Sequence, residues 1–219
     1  MKLYASPFAC SMGPHIALRE AQIDVTIEWV DLATKRTQSG ANFLEVNPKG
    51  KVSTLVLDSG AVLTENIAIL RYIGSLAPAL TLASQDDEDG ERSQMRLDEW
   101  LAFTSTEIHK QVLAIYFNPA VPEAMRDYVT TTVLPNVLRH PERALSKRPF
   151  LLGSDFCVAD AYLFWATMLL PRLGVKLEAS YPNLAAFKER MLARPSVQTC
   201  LGLEKAALRD RTGSHGEKR

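Results

Sequence analysis

The sequence has no excess of either charge. Its 219 residues hold 25 lysines and arginines against 25 aspartates and glutamates, so the formal net charge is zero. The balance holds on both sides of residue 80, with 7 basic against 7 acidic residues before it and 18 against 18 after. Binding a phosphate backbone calls for a local basic excess, so nucleic acid is excluded as a partner. Cysteine is scarce: Cys10, Cys157 and Cys200 are far apart, odd in number and without a Cys-x-x-Cys pair. That excludes a disulfide framework and a dithiol oxidoreductase, and it points to reduced thiols in a cytoplasm. The four histidines, His15, His109, His140 and His215, are scattered, so no metal is expected. Long apolar runs are missing too. The longest, Ala161 to Leu170, contains Thr167, and a membrane span needs ~20 such residues. After Met1-Lys2 only Leu3, Tyr4 and Ala5 are apolar before Ser6-Pro7, too few for a signal-peptide core. No membrane association is expected.

What is present is ordinary for a globular protein, with 47% hydrophobic and 23% charged residues. The first 77 residues alternate strand and helix. Lys2 to Ala5 reads as a strand closed by Ser6-Pro7, and Cys10 to Ala21 as a helix. Val25, Ile27 and Trp29 alternate with Thr26, Glu28 and Val30, which is strand periodicity. Residues 33–51 carry Gly40, Pro48 and Gly50 and read as loop with one helical turn. Leu55-Val56-Leu57 and Ala61-Val62-Leu63 flank Asp58-Ser59-Gly60, a hairpin signal. A helix follows from Ile67 to Leu76. The fold class is therefore a small α/β domain over 1–77 with a mixed sheet.

Residues 78–90, with acidic Asp86-Asp87-Glu88-Asp89, read as a linker. An all-helical domain over 91–208 follows, with helical patterns at Glu91–Phe117, Glu123–Leu145, Val158–Leu173, Asn183–Arg194 and Ser196–Leu208. Pro135 and Pro141 are expected to kink or break the second of these, and Thr130-Thr131-Thr132-Val133 is weak helix material. The polar stretch 209–219 lacks periodicity and is expected to be disordered.

Cys10 is the first position that can carry chemistry. It stands where a strand and turn give way to a helix, and there unpaired N–H groups and the helix dipole favour a thiolate. Its plain alternative is a small buried hydrophobe. Cys157 and Cys200 lack such a context and read as structural. Asn66 reads as an N-cap whose neighbouring N–H groups can bind a carboxylate, with Glu65 beside it to meet an ammonium; plain capping is the alternative. Lys35 and Lys49 are loop lysines, and His109-Lys110 lies within a long helix.

Several segments in the same order resemble the beta-class (bacterial) glutathione S-transferases. They are Lys2-Leu3-Tyr4, Ser6-Pro7, Ala9-Cys10-Ser11, Pro14-His15-Ile16, Val30 to Lys35, Val46-Asn47-Pro48-Lys49-Gly50, Leu63-Thr64-Glu65, Thr106 to Lys110, Leu152-Gly153, Ala159 to Phe164 and Arg194-Pro195. The resemblance covers residues 1 to about 205. It implies a thioredoxin-like N-terminal domain that binds glutathione, an all-α C-terminal domain and a homodimer paired through the helix bearing Trp100 and Phe103. It also implies that Cys10, with Ser11 next to it, faces the glutathione sulfur and that His109 and Lys110 approach it. Glu65 and Asn66 would hold the γ-glutamyl end, Lys35 the glycine carboxylate, and the Val52 backbone the cysteinyl amide. The second substrate would be a small hydrophobic electrophile beside Phe8, Ile115, Tyr116 and Phe117.

The chain departs from the family pattern near that same site. Ser53 stands where the family has a cis-proline, Ala5 where a second tyrosine is common, and Phe8 where glycine is usual. Asn66 replaces a serine or glycine, and Ala102 an asparagine. Cys157 takes the place of a hydroxyl cap on the helix at Val158, with Asp160 at its capping-box position; loss of a cap oxygen costs ~1 kcal/mol. Three readings follow: glutathione conjugation; glutathione-dependent thiol–disulfide exchange or dehalogenation through a Cys10 mixed disulfide; and a non-catalytic ligand-binding member.

Overall fold

The structure, a computed structural model, describes residues 1–81 and 90–216. The acidic segment expected to be a linker lies largely outside the described residues. Strand β1 (Lys2–Ala5), helix α1 (Met12–Glu20) and strand β2 (Thr26–Asp31) form a parallel crossover unit, with Lys2 opposite Thr26 and Ala5 opposite Trp29. Leu3 and Ala5 on β1 are fully buried while Lys2 and Tyr4 are not, which is the two-residue alternation of a strand. Helix α1 begins at Met12, two residues later than expected, and Pro14 falls in its first turn, where a missing N–H costs nothing.

Strand β3 (Arg36–Thr37) returns antiparallel along β2. The strand differs from the loop expected here, since two residues are too few to show alternation. The expected helical turn is the 3-10 turn Phe43–Glu45, where the Asn42 side chain accepts the Leu44 N–H. Strands β4 (Thr54–Val56) and β5 (Val62–Thr64) form the expected hairpin, with Gly60 at φ 85° in its turn. The Val52–Ser53 peptide bond ahead of β4 is cis. Helix α2 (Asn66–Leu76) completes the pattern. The sheet order is β3-β2-β1-β4-β5, mixed and thioredoxin-like.

Helix α3 (Gly90–Phe103) passes into a π-helical stretch, Thr104–Leu113, and ends in α4 (Ala114–Tyr116). Helix α5 (Glu123–Tyr128), a π-helical stretch at Val129–Val133 and α6 (Leu134–Leu145) follow without the expected break. Pro135 sits in the first turn of α6, and Pro141 is carried inside it. The threonines before it bond backwards, Thr130 Oγ1 to Arg126 O at 3.0 Å and Thr131 Oγ1 to Asp127 O at 2.7 Å. Such back-bonding competes with regular helix hydrogen bonding and suits a widened turn. Helix α7 (Val158–Leu169) is buried from Val158 through Thr167. Its Cys157 N-cap N–H donates to Asp160 Oδ2 at 2.8 Å, and Asp160 Oδ1 accepts the Leu151 N–H at 2.9 Å. Short α8 (Leu177–Ser180), α9 (Pro182–Leu192) and α10 (Pro195–Gly216) close the chain.

Two compact units emerge, and they do not follow chain order. Met1–Ile73 joins Leu192–Arg219, and Gly74–Met191 stands as the other. The expected boundary at residue 208 therefore differs from the structure. Val197, Cys200, Glu204 and Ala207 are buried along one face of α10, and Arg194 pairs with Glu20 of α1 at 2.6 Å. Ser196 Oγ bonds the same Glu20 carboxylate. The expected disordered tail from Arg209 also differs, since helix continues to Gly216; residues 217–219 lie outside the described residues. Polar contacts of Arg211 hold these turns, and no periodicity announces them.

In the helical unit Trp100 turns inward. It is 3% exposed, stacks on His140 at 4.6 Å and meets Phe103 edge-on at 5.7 Å. Trp100 is thus a core residue of its own unit rather than a pairing face.

Gly74 of α2 shows where close approach needs glycine. A Cβ there would collide with Thr81 Cγ2. Thr81 cannot swing aside, because its Oγ1 donates to Pro78 O at 2.7 Å and accepts from Gln94 Nε2 at 2.7 Å. Alanine normally gains about 0.5–1 kcal/mol over glycine inside a helix. Here the sign reverses: Gly74→Ala is expected to lower stability by about 1–3 kcal/mol, and Thr81→Ser in the same chain to restore most of it. Urea unfolding of both variants checks this, and an unchanged midpoint for Gly74→Ala would refute it.

Candidate functional site

Four loops leave the same edge of the sheet. Parallel β1 and β2 end there, β4 begins opposite the end of β1, and β5 ends opposite the start of β4. Loops at the carboxyl ends of parallel strands are where α/β sheets bind ligands. Cys10, Lys35, Val52, Glu65 and Asn66, expected from sequence to act together, are on those loops or at the start of α2.

Cys10 lies just before Ser11, the N-cap of α1. Its loop is tight: the Ala9 N–H donates to Ser6 O and the Met12 N–H to Ala9 O, both at 3.0 Å. Ser11 is fully buried, and its hydroxyl accepts the Ser6 N–H at 3.1 Å and donates to Ser6 O at 3.3 Å. That hydroxyl shapes the loop and makes no cap bond to α1. The Cys10 thiol donates to Val52 O at 3.4 Å. One residue on, Ser53 Oγ donates to Asn66 Oδ1 at 2.6 Å, and Asn66 Nδ2 donates to Cys10 O at 3.0 Å. Cys10, Val52, Ser53 and Asn66 thereby close a ring across three separate segments. The Asn66 amide serves as a cross-link rather than the expected N-cap. Ser53 and Asn66, where the resemblance led us to expect a proline and a serine or glycine, are hydrogen-bonded to each other.

Three non-glycine residues on this edge adopt left-handed backbone: Phe8 at φ 58°, Lys35 at φ 57° and Glu65 at φ 73°. Each such residue costs of order 1–3 kcal/mol and persists only where its surroundings over-determine it. At Phe8 the surroundings are visible. Its N–H donates to Glu204 Oε2 at 2.6 Å, and Glu204, from α10, is fully buried. Arg19 Nε donates to His15 Nε2 at 3.1 Å, and His15 Nδ1 faces Glu204 Oε1 at 3.4 Å. Arginine can only donate, so the ring proton sits on Nδ1 and points at the carboxylate. Sequence reasoning missed this chain of groups, because Glu204 lies 196 residues from Phe8.

Lys35 Nζ donates to Gly50 O at 2.9 Å. Lys49 Nζ donates to Glu65 Oε1 and Thr64 Oγ1, each at 2.8 Å, as an exposed pair. Asn47, also missed, is 2% exposed and folds the loop between Lys35 and β4 around its side chain. Its Nδ2 donates to Lys51 O and Thr54 Oγ1, each at 2.8 Å, while Oδ1 accepts the Lys49 N–H at 3.1 Å. The signal was in the sequence as Asn47-Pro48, a turn-forming pair.

His109 and Lys110 belong to the helical unit. His109 Nδ1 lies 2.7 Å from the Tyr162 hydroxyl, and its ring meets Trp165 edge-on at 4.7 Å. Lys110 is exposed. In the same unit Arg172 lies over the Phe117 ring at 4.9 Å, and Tyr116 donates to Arg172 O at 2.9 Å.

Residues 5–76 match the family model of the glutathione S-transferase N-terminal domain, and residues 105–195 that of its C-terminal domain. Over 205 residues the chain is 38% identical to glutathione S-transferase GstA of Escherichia coli O157:H7, covering 93% of this chain and 98% of that protein. The chain belongs to the glutathione S-transferase family. Its fold superposes on BphK, a bacterial glutathione S-transferase, with a TM-score of 0.85 at 40% identity over 94% of this chain and 100% of that one. The bacterial beta-class enzyme of Sphingomonas chungbukensis gives 0.83 at 40% identity, covering 93% and 98%. This glutathione S-transferase thus has the beta-class likeness that its motifs carry. Among the described residues no histidine, cysteine and carboxylate group is arranged to hold a metal, and no helix is long and apolar enough to cross a membrane.

The three cysteines of this glutathione S-transferase differ sharply. Burial, reinforced by the Asp160 carboxylate, pushes the Cys157 thiol well above its ordinary value. Burial pushes Cys200 up to about 12. Both are fully buried, whereas Cys10 is only half-buried. Iodoacetamide at neutral pH is therefore expected to label Cys10 well before the other two, read by peptide mass mapping; equal labelling would overturn the assignment. The ring makes a second expectation. Ser53→Ala leaves the Asn66 oxygen unpaired in a site 7% exposed, a loss of about 1–3 kcal/mol in thermal unfolding. An unchanged midpoint would mean that the bond contributes nothing.

Proposed function

We propose that this glutathione S-transferase joins glutathione to small hydrophobic electrophiles, with its thiol held beside Cys10. The observation that carries the reading is the gathering of Cys10, the Val52 backbone, Glu65, Asn66 and Lys35 on one sheet edge of a family member. Glutathione offers an ammonium and carboxylate at its γ-glutamyl end, a central amide and thiol, and a glycine carboxylate. Glu65 meets the ammonium, with Asn66 at the adjoining helix start where N–H groups favour an anion. Backbone groups of Val52 pair the cysteinyl amide, and Lys35 meets the far carboxylate. Catalysis then consists of favouring the thiolate and aiming it. The sulfur bonds to the electrophilic carbon, the leaving group departs with its electron pair, and the thiol proton passes to solvent. By the family resemblance we assign His109 and Lys110 to assisting the thiolate, with Ser11 shaping the loop that carries Cys10. The Phe117 and Tyr116 side chains are assigned to the electrophile.

The second reading is thiol–disulfide exchange or dehalogenation through a Cys10 mixed disulfide, favoured by Cys10 being the cysteine that is not fully buried. We also propose a homodimer and a cytoplasmic location. The dimer is supported by an open groove lined by Phe103, Tyr128, Val137 and His140, with Tyr128 55% exposed. The location is supported by three cysteines without disulfides.

An aryl halide assay tests the main reading. Wild type should form conjugate in step with glutathione consumed. Glu65→Gln should raise the glutathione KM by roughly tenfold, the worth of one charge-assisted hydrogen bond. Conjugation that survives Cys10→Ala favours transfer without a covalent step, whereas loss of activity together with a glutathione adduct on wild-type Cys10 favours exchange. No glutathione-dependent turnover of either kind would overturn both. Light scattering at micromolar concentration should give twice the chain mass.

A further inference from the structure

The two family models end at residues 76 and 195, so neither assigns a role to α10. Arg211, near its end, reaches two loops at once. Nη1 donates to Ser6 Oγ at 3.2 Å, and Nη2 lies 3.2 Å from Asp31 Oδ1. Ser6 is 4% exposed and opens the loop to Cys10, where the Ser11 hydroxyl holds its N–H and its C=O. Asp31 ends β2, and the same Oδ1 accepts the Ala33 N–H at 2.8 Å and the Thr34 N–H at 3.4 Å. That turn delivers Lys35. Burial pushes the Asp31 carboxyl upward, but the Ala33 and Thr34 N–H groups and the charge of Arg211 outweigh it and hold it below its ordinary value. The carboxylate therefore stays charged at neutral pH, and Arg211 has an anion to grip.

We propose that Arg211 is a positioning residue that clamps the Cys10 loop to the Lys35 loop, setting the spacing between the groups that address the two ends of one glutathione molecule. The ligand in this inference rests on the function proposed above; the clamp itself rests on the contacts. A guanidinium suits the task because its donors lie in a rigid planar fork, so one side chain can hold two acceptors at fixed separation. Lysine presents a point charge on a flexible stem and cannot reproduce both bonds with that geometry. A spacing fixed before binding spares the ligand the cost of ordering the loops, so loss of the clamp falls on affinity for glutathione rather than on the chemical step.

The test uses the full chain with Arg211→Ala, Arg211→Lys and Ser6→Ala, read by hydrogen exchange and by steady-state kinetics. Arg211→Ala should speed amide exchange roughly fivefold or more in peptides spanning both 6–12 and 31–36, with the 54–64 hairpin unchanged. The glutathione KM should rise about fivefold while kcat at saturating glutathione stays within about twofold. Arg211→Lys should restore protection in no more than one loop, and Ser6→Ala should release 6–12 while leaving 31–36 protected. Faster exchange confined to α10, or a KM within twofold of wild type in an active enzyme, would overturn the clamp. Should Arg211→Ala loosen the whole unit, Ser6→Ala decides alone: release of 6–12 supports the clamp, and no release refutes it. A wild type without glutathione affinity sinks the transferase reading, and the exchange pattern still decides the clamp.

Discussion

The side-chain amide of Asn66 joins the segments from which the site is made. Its oxygen accepts from Ser53 and its nitrogen donates to the carbonyl of Cys10, while the Cys10 thiol reaches the carbonyl of Val52. A carboxamide is the side chain that can do this, since it offers an acceptor and a donor on one rigid plane. A serine at position 66 could not span both partners with that geometry, and a proline at 53 would offer no hydroxyl to bind. Serine at 53 and asparagine at 66 therefore make sense together. With Asn66 7% exposed and Ser53 4% exposed, an unmade bond here would have no water to replace it.

That ring fixes one side of Cys10, and buried charge fixes the other. Phe8 holds a left-handed conformation that a side chain disfavours, and its N–H is drawn to a carboxylate with no exposure to solvent. A buried carboxylate is costly unless donors surround it. Phe8 and His15 supply those donors, and Arg19 fixes the His15 tautomer. The hydrogen bond between them thus offsets both the strain at Phe8 and the desolvation at Glu204: the loop satisfies the anion, and the anion holds the loop. The arrangement needs α10 against α1, which is why Leu192–Arg219 groups with the sheet rather than with the helices preceding it in sequence.

What the sequence disclosed follows from the range of the interactions involved. Alternation in β1 and β2, and Asp58-Ser59-Gly60 between β4 and β5, are local, and these elements were legible. The two-residue β3 is local as well, but too short to show a period. The widened turn at Val129–Val133 left only a run of threonines as its trace. For the site, the strand–turn–helix junction marked Cys10, and a capping residue before a helix marked Asn66. The role of Asn66 was not legible, because its partners lie 13 and 56 residues away. Trp100 likewise was expected on a helix that pairs two subunits, and the His140 ring that covers one of its faces lies 40 residues away.

The same distinction explains why the chain can vary its site while keeping its fold. Leu3, Ile16, Leu18, Leu55 and Ile69 are fully buried, and each answers to volume and periodicity, which many sequences satisfy. The loops answer instead to individual hydrogen bonds, where a change at one partner strands the other unless both change. Departures in such loops should therefore come in bonded sets rather than singly. Ser53 with Asn66 is one such set; at Phe8 the bond to Glu204 is made by the backbone N–H, which supports a left-handed residue whatever its side chain. A loop rebuilt in matched pairs keeps its shape while the groups it presents to a ligand change.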